Sequence, residues 1–373
     1  MATKRFKKNF GTKKEGTPNT TAVDRISKLP DPLIHHILSF VPTIDVVRMS
    51  VLSRRWKRVW YSVPALNFSD TDHMDRFRSH SRQPRQAFHN FVDKCLKHRE
   101  KSMRYIADSV ITRLKLHTEY SQDRATVLDN RLNFVVRGNI GELDLSMKRD
   151  YFVKVVYYRL PEAILNARSL TVVKLDHLMI GGMSSVNLPS LISLSLTAVE
   201  LCDGALHKLL LGCPALVKFL LSKCTGLLNP QISSSTIKFL EIEPDKTYET
   251  LKVETINLQS LMCSGYREDT VNLSACKAIR SLSLFDVMLD DKSLEDLIFG
   301  FPLLESLTLT RCFKALIVPE KLRKICNSPW PNLRHLKVMT YCALKKKREL
   351  RDALYWVSPS LETLTIENET KGC

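Results

Sequence analysis

The sequence predicts an α/β chain in two parts, a bundle of three short helices followed by an elongated solenoid whose curved parallel sheet carries helices on its outer face. Two patterns lead to this reading. Between residues 24 and 61, apolar stripes with helical spacing are bounded by capping residues and prolines; from Ile111 onward, an apolar triplet at i, i+3 and i+5 occurs eleven times. Length agrees, since 373 residues exceed what one ordinary core requires.

The helices come first. Asp31 followed by Pro32 opens one, Asp being able to cap free N–H groups and Pro suiting the first helical position. Ile34, Ile37, Leu38 and Val41 then form a single apolar stripe, and Pro42 stops the helix. Thr43, with Asp45 in the first turn, begins a second helix bearing Val46, Val47 and Val51, of which Val47 and Val51 are expected to pack internally. Ser53 opens a third, where Trp56, Val59 and Trp60 repeat at helical spacing. Such a bundle buries too little surface to be robust alone, so it expects a partner.

The repeats follow. The triplets are Ile111-Leu114-Leu116, Ile140-Leu143-Leu145, Leu170-Val173-Leu175, Leu191-Leu194-Leu196, Leu216-Phe219-Leu221 and Ile237-Leu240-Ile242. They continue as Leu258-Leu261-Cys263, Ile279-Leu282-Leu284, Leu304-Leu307-Leu309, Leu333-Leu336-Val338 and Leu361-Leu364-Ile366. Successive starts lie 21 to 30 residues apart, almost wholly inside the period of about 20–29 residues of leucine-rich repeats. Each triplet gives a turn and a short strand whose alternate side chains face inward. One unit cannot bury its own apolar face, so neighbours stack into a parallel sheet. Segments such as 202–214 and 291–302 read as outer-wall helices, the second opened by Asp290-Asp291; 123–137 reads as the best helix, with Val127, Leu128, Leu132, Val135 and Val136 on one side. The resulting division is a disordered basic tail at 1–21, the bundle at 22–66, a linker with a helix through Phe88, Phe91, Val92, Cys95 and Leu96 at 67–109, and the solenoid at 110–373. Within the linker, His73 to Arg85 reads as a loop broken at Pro84.

Composition narrows the function. No apolar run is long enough for a membrane span, and the basic N-terminus lacks the apolar core of a secretory signal. The chain is therefore placed in the nucleus or cytoplasm. Its ten cysteines form no CxxC pair, and Cys202, Cys213 and Cys224 are read as small buried residues at repeat turns. Of the net charge of +17, six positive charges lie in the tail between Lys4 and Lys14, and another cluster is Lys345 to Arg348. The tail is either a solvated, anion-seeking segment, which is the default, or a nuclear-import signal. Nucleic acid binding is disfavoured because no basic motif interleaved with aromatics occurs. No metal-ligand spacing, phosphate loop or nucleophile elbow is present either, and His117, His177 and His207 are read as structural, so neither catalysis nor a cofactor is expected.

Residues 24–61 resemble the plant F-box. The phrase Asp-Arg-Ile-Ser-x-Leu-Pro-Asp spans Asp24 to Asp31, Ile-Leu-Ser-Phe spans Ile37 to Phe40, and Val-Leu-Ser-Arg-Arg-Trp spans Val51 to Trp56, with Trp60 and Val63-Pro64-x-Leu66 following. With the repeats behind it, roughly 22–370 resembles the plant F-box/leucine-rich-repeat proteins of the FBD-associated type. The further C-terminal domain of that type looks shortened or absent, since 349–366 resembles only its last helix and strand. His35 and His36 depart from the family pattern and are expected to be exposed.

This resemblance implies a non-catalytic substrate-recognition subunit of an SCF-type cullin-RING ubiquitin ligase, docked on a Skp-type adaptor and through it on cullin and RING subunits. By the same carry-over Leu29, Pro30, Ile34, Ile37, Leu38, Leu52 and Trp56 contact the adaptor. Residues 24–61 carry seven basic and three acidic side chains, which suits an acidic adaptor surface. A protein substrate would lie on the concave sheet, where outward positions include Arg113, Lys115, Lys174, Lys218, Phe239, Glu241, Met262, His335 and Lys337. Their basic rim points to an acidic partner. The alternative is a leucine-rich-repeat binding scaffold that acts without a ligase.

Overall fold

In the computed structural model, residues 25–72, 84–103, 110–148, 156–265, 270–286, 291–312, 330–340, 358 and 360–368 are described. The basic tail, the stretch 73–83, Asp290, the Lys345–Arg348 cluster and the expected helix before Ser358 lie outside them. Three helices open the chain: α1 Asp31–Leu38, α2 Thr43–Met49 and α3 Arg54–Ser62. A strand, β1 Ala65–Ser69, comes next, then a long helix, α4 Pro84–Met103.

The repeats continue with β2 Arg113–Glu119, α5 Ala125–Arg137, β3 Glu142–Lys148, β4 Tyr158–Arg159, α6 Glu162–Leu165, β5 Val172–Asp176 and β6 Leu178–Met179. Then come β7 Ser193–Thr197, α7 Asp203–Leu211, β8 Lys218–Ser222, β9 Gln231–Ser233, β10 Phe239–Glu243, β11 Leu251–Glu254 and β12 Ser260–Ser264. The last are β13 Val271–Asn272, β14 Ser281–Phe285, α8 Asp291–Gly300, β15 Ser306–Cys312, β16 His335–Thr340 and β17 Thr363–Asn368.

One parallel sheet of twelve strands runs β1-β2-β3-β5-β7-β8-β10-β12-β14-β15-β16-β17. Each of the eleven triplets supplies the inward residues of one strand. The twelfth strand corrects the expected boundaries. β1 pairs with β2 from Ala65↔Arg113 to Ser69↔His117, so the array starts inside the segment assigned to the bundle and linker. Val63, Leu66 and Phe68 have the same i, i+3, i+5 spacing, and all three are buried.

Repeat length decides what forms behind the sheet. Helices α5, α6, α7 and α8 fall in intervals of 25 to 30 residues between triplet starts, whereas β6, β9, β11 and β13 fall in intervals of 21. Removing four residues removes about one helical turn, and the shorter return path is extended. Three of those short strands pair as β13-β11-β9. The outer wall thus carries helices behind the longer repeats, including the two expected at 202–214 and 291–302, and short extended strands behind those of 21 residues.

The bundle and the solenoid share one core. Ile34, Leu38, Val46, Val59, Trp60 and Val63 are buried in the same apolar cluster that continues through the repeats to Val338. On α4, Phe88, Val92, Cys95 and Leu96 join it as expected. Fully buried Arg99 donates from Nη1 to the Trp60 carbonyl at 2.9 Å and lies 6.0 Å from the Trp60 ring centre, tying α4 to α3. The Thr43 hydroxyl accepts a hydrogen bond from the Asn67 amide at 2.7 Å, fixing α2 against β1.

Several local expectations change. Asp31 lies in the first turn of α1, makes no cap hydrogen bond and turns its carboxylate to Arg55. Val51 is 83% exposed and packs nowhere inside, while His35 is half-buried and pairs with the Ser62 hydroxyl at 3.0 Å. On α5, Leu128, Leu132 and Val135 are buried but Val127 is exposed. Cys213 and Cys224 are buried as expected and Cys202 is not.

Candidate functional site

The N-terminal face is organised by α3. The Ser53 hydroxyl caps that helix, accepting from the Trp56 amide at 3.1 Å. The same turn presents Arg55 and Trp56 to the segment before α1. The Arg55 guanidinium donates to the Ser27 and Leu29 carbonyls and to Asp31 Oδ1, while Trp56 Nε1 donates to the Ser27 hydroxyl at 3.1 Å. Two side chains of one helix therefore hold residues 27–31 in place and present Pro30 to solvent, with Leu29 half-buried beneath it.

Of the seven residues expected to meet an adaptor, five are accessible: Leu29 and Trp56 half-buried, Pro30, Ile37 and Leu52 exposed. Ile34 and Leu38 are a correction. They are 2% and 3% exposed and point into the core, because α1 uses that side to pack on the rest of the chain. Sequence reasoning missed Ile26, Leu33, Phe40 and Val51, which are 54%, 52%, 70% and 83% exposed. Leu33 and Ile37, four residues apart, form a second stripe on α1 beside the buried Ile34–Leu38 pair. That spacing was the available signal. The result is a short helical module with a continuous core inside and large apolar side chains outside.

The concave sheet face carries all nine outward residues expected at a substrate surface, but their charges are largely compensated. Arg113 forms a two-pronged pair with Glu142 at 2.6 and 2.9 Å. Lys115 and Lys174 stand on either side of Asp144 in register. Burial raises the Asp144 carboxyl, but the His117 hydrogen bond and the charges of His117, Lys174 and Lys115 outweigh it and hold the carboxyl below its ordinary range. Lys337 pairs with Glu367 at 3.1 Å, and His335 bonds the Thr363 hydroxyl at 2.9 Å. The expected basic rim is therefore a row of mixed charges. Glu241 and Met262 instead border a hollow of about 430 Å³ at the carboxyl ends of β10 to β16, and Phe239 stands exposed outside its lining.

One cluster on this face has the residue types of a hydrolase. Ser146 Oγ donates to Asp176 Oδ2 at 2.6 Å, and His177 Nδ1 lies 2.5 Å from Asp176 Oδ1. Asp176 stands in the middle, so the imidazole is not the serine's base and the arrangement stabilises a strand end. Among the described residues no group of three His, Cys, Asp or Glu could hold a metal ion, and no helix is long and apolar enough to cross a membrane.

Comparison with known proteins matches both parts. Residues 26–67 match the F-box domain, and residues 107–313 match the family described as At1g61320/AtMIF1, LRR domain. The chain is 31% identical over 255 residues to the F-box/LRR-repeat protein At3g59200 of Arabidopsis thaliana, covering 66% of this chain and 46% of that one. It is 31% identical over 222 residues to Arabidopsis F-box/LRR-repeat protein 25, covering 59% and 76%, and 28% identical over 335 residues to F-box/LRR-repeat protein At5g02910, covering 85% and 66%. The chain spans about half the length of several of the curated relatives it matches. The two family matches fall in turn on the helical module and on the repeats, and the chain belongs to the plant F-box/leucine-rich-repeat family.

Proposed function

We propose that this chain is the substrate-recognition subunit of an SCF-type ubiquitin ligase, its F-box docking on a Skp-type adaptor and its repeats holding a protein substrate. One observation carries the reading. Ile26, Leu33, Ile37, Phe40, Val51 and Leu52 are all exposed on a module whose own core is already filled. Six large apolar side chains within so short a segment lose free energy in water that a partner surface would recover, at about 25 cal/mol for each Å² covered. The module's seven basic and three acidic residues favour an acidic partner. The receptor makes and breaks no bond; it acts by raising the local concentration of substrate beside the charged enzyme. The nucleus or cytoplasm is where it would work.

Capture of purified Skp-type adaptor by the full chain tests this. Wild type is expected to bind, and Ile37→Asp combined with Leu52→Asp to abolish binding while leaving thermal unfolding unchanged, because both side chains are already solvated. Failure of the wild-type chain to bind the adaptor refutes the ligase reading.

A further inference from the structure

The concave face changes character along its length. On β2 to β5 its charges cancel, and β7 presents Ser193 and Ser195. From β8 onward apolar side chains appear among the outward positions: Leu220 beside Glu241, and Glu241 beside Met262. The hollow lies here. Met262, Phe285 and Met339 give it an apolar floor, and Glu241, Glu243 and Asp286 contribute carboxylates.

These carboxylates are not equivalent. Glu243 accepts from the Ser222 hydroxyl at 2.6 Å and pairs with Lys223 at 3.3 Å. Asp286 makes its own contacts within the chain. Glu241 has no hydrogen bond or ion pair among the described residues, and its in-register neighbours are Leu220 and Met262. A half-buried carboxylate between apolar neighbours attracts a cation more strongly than a fully solvated one. Of the hollow's carboxylates, Glu243 is matched by Lys223, whereas Glu241 is matched by no cation among the described residues.

We propose that this hollow takes a segment of a partner protein in which an apolar side chain neighbours a Lys or Arg. The apolar group seats on Met262, Phe285 and Met339, and the cation pairs with Glu241. Two flexible thioethers let the floor adapt to more than one apolar shape, while the carboxylates repel an acidic segment. The inference rests on the concave face being the recognition surface of the proposed function and names the chemistry selected there.

The test uses fluorescein-labelled peptides and the full chain, read by anisotropy. One series alternates Leu or Phe with Lys or Arg, a second replaces the basic residues by Glu, and a third replaces the apolar residues by Gly. The basic–apolar series is expected to bind about tenfold or more tighter than either control, and Glu241→Lys to erase that preference. Glu241→Gln, which keeps shape and removes charge, is expected to reduce it partly, and Thr365→Ala at the far edge of the sheet to leave it intact. Equal binding of the acidic series, equal binding of the glycine series, or selectivity unaltered by Glu241→Lys overturns the proposal. Adaptor capture on the same preparations separates the claims. Capture without peptide selectivity sinks this inference alone; selectivity without capture sinks the ligase reading alone.

Discussion

Replacing Arg55 tests how the F-box face is built, because one side chain reaches three acceptors on a segment with little else to hold it. Its guanidinium, about a third exposed, donates to the Ser27 and Leu29 carbonyls and to the carboxylate of Asp31, which is itself 56% exposed. The ion pair with so exposed a partner contributes at most about 1 kcal/mol. Each carbonyl bond contributes about 1 kcal/mol net of its exchange with water. Losing all three therefore costs about 2–3 kcal/mol of order in residues 27–31. That order is distinct from overall stability, since residues 27–31 contribute only half-buried Leu29 to packing against the shared core. It is the cost an adaptor would have to meet to find Leu29 and Pro30 in place. Arg55→Ala is thus expected to weaken adaptor binding by about thirty-fold or more in titration calorimetry, with the thermal midpoint nearly unchanged. Arg55→Lys should not rescue it, because an ammonium cannot match a planar fork serving acceptors in different directions. Affinity within about twofold of wild type for Arg55→Ala, or full recovery with Arg55→Lys, would refute the reasoning.

The remaining predictions concern other parts of the same body. Trp56→Phe keeps an aromatic ring but removes the donor to the Ser27 hydroxyl, and should cost about 1 kcal/mol of adaptor affinity by the same titration. Leu143→Ala, at an inward position 1% exposed, should cost about 2–5 kcal/mol in denaturant unfolding, whereas Thr365→Ala on the solvent side should stay within about 0.5 kcal/mol. The His89 imidazole is depressed from 6.5 to about 4, first by burial and then by the charges of Arg124 and Arg131. Between those values the unfolded chain binds the extra proton, so stability falls as pH drops from about 6.5 to 4 and His89 adds no slope below that. A His89→Asn chain should show a shallower decline of melting temperature over the same window; an identical decline would exclude His89 as a source.

Periodicity made the solenoid legible because burying one face of a strand demands an alternating apolar pattern, and eleven strands announced themselves by it. The twelfth did not. Val63, Leu66 and Phe68 have the right spacing, yet they lie where the F-box phrase ends, and one reading masked the other. At the bundle, a stripe tells which residues are apolar, not which of two adjacent stripes faces in. Ile34 and Leu38 went to the core while Leu33 and Ile37 stayed out, and Val51 was exposed because it lies in the turn between α2 and α3. The Arg55 clamp was invisible for another reason. It joins Arg55 to the carboxylate of Asp31, 24 residues away, and to the main-chain carbonyls of Leu29 and Ser27, 26 and 28 residues away, and no local spacing encodes such contacts. Charge was misread because an outward lysine counts as basic only until its in-register neighbour is known, and Asp144 between Lys115 and Lys174 is seen only once strands are paired.

That the first strand grows out of the F-box has a mechanical consequence. With β1 as the first strand and β10 the seventh, six inter-strand steps of about 4.8 Å place the apolar hollow about 30 Å along the sheet from the bundle. Along that path β1 follows α3 after two residues and pairs directly with β2. A tether would leave adaptor and substrate to find each other within a broad volume, and its effective concentration would fall as the linker lengthened. A packed parallel sheet instead fixes separation and direction together, and because interiors are close-packed it transmits position without slack. In the proposed receptor, the shared core through Trp60, Val63, Leu66 and Phe68 is therefore part of the function: it makes the docking face and the recognition surface one object.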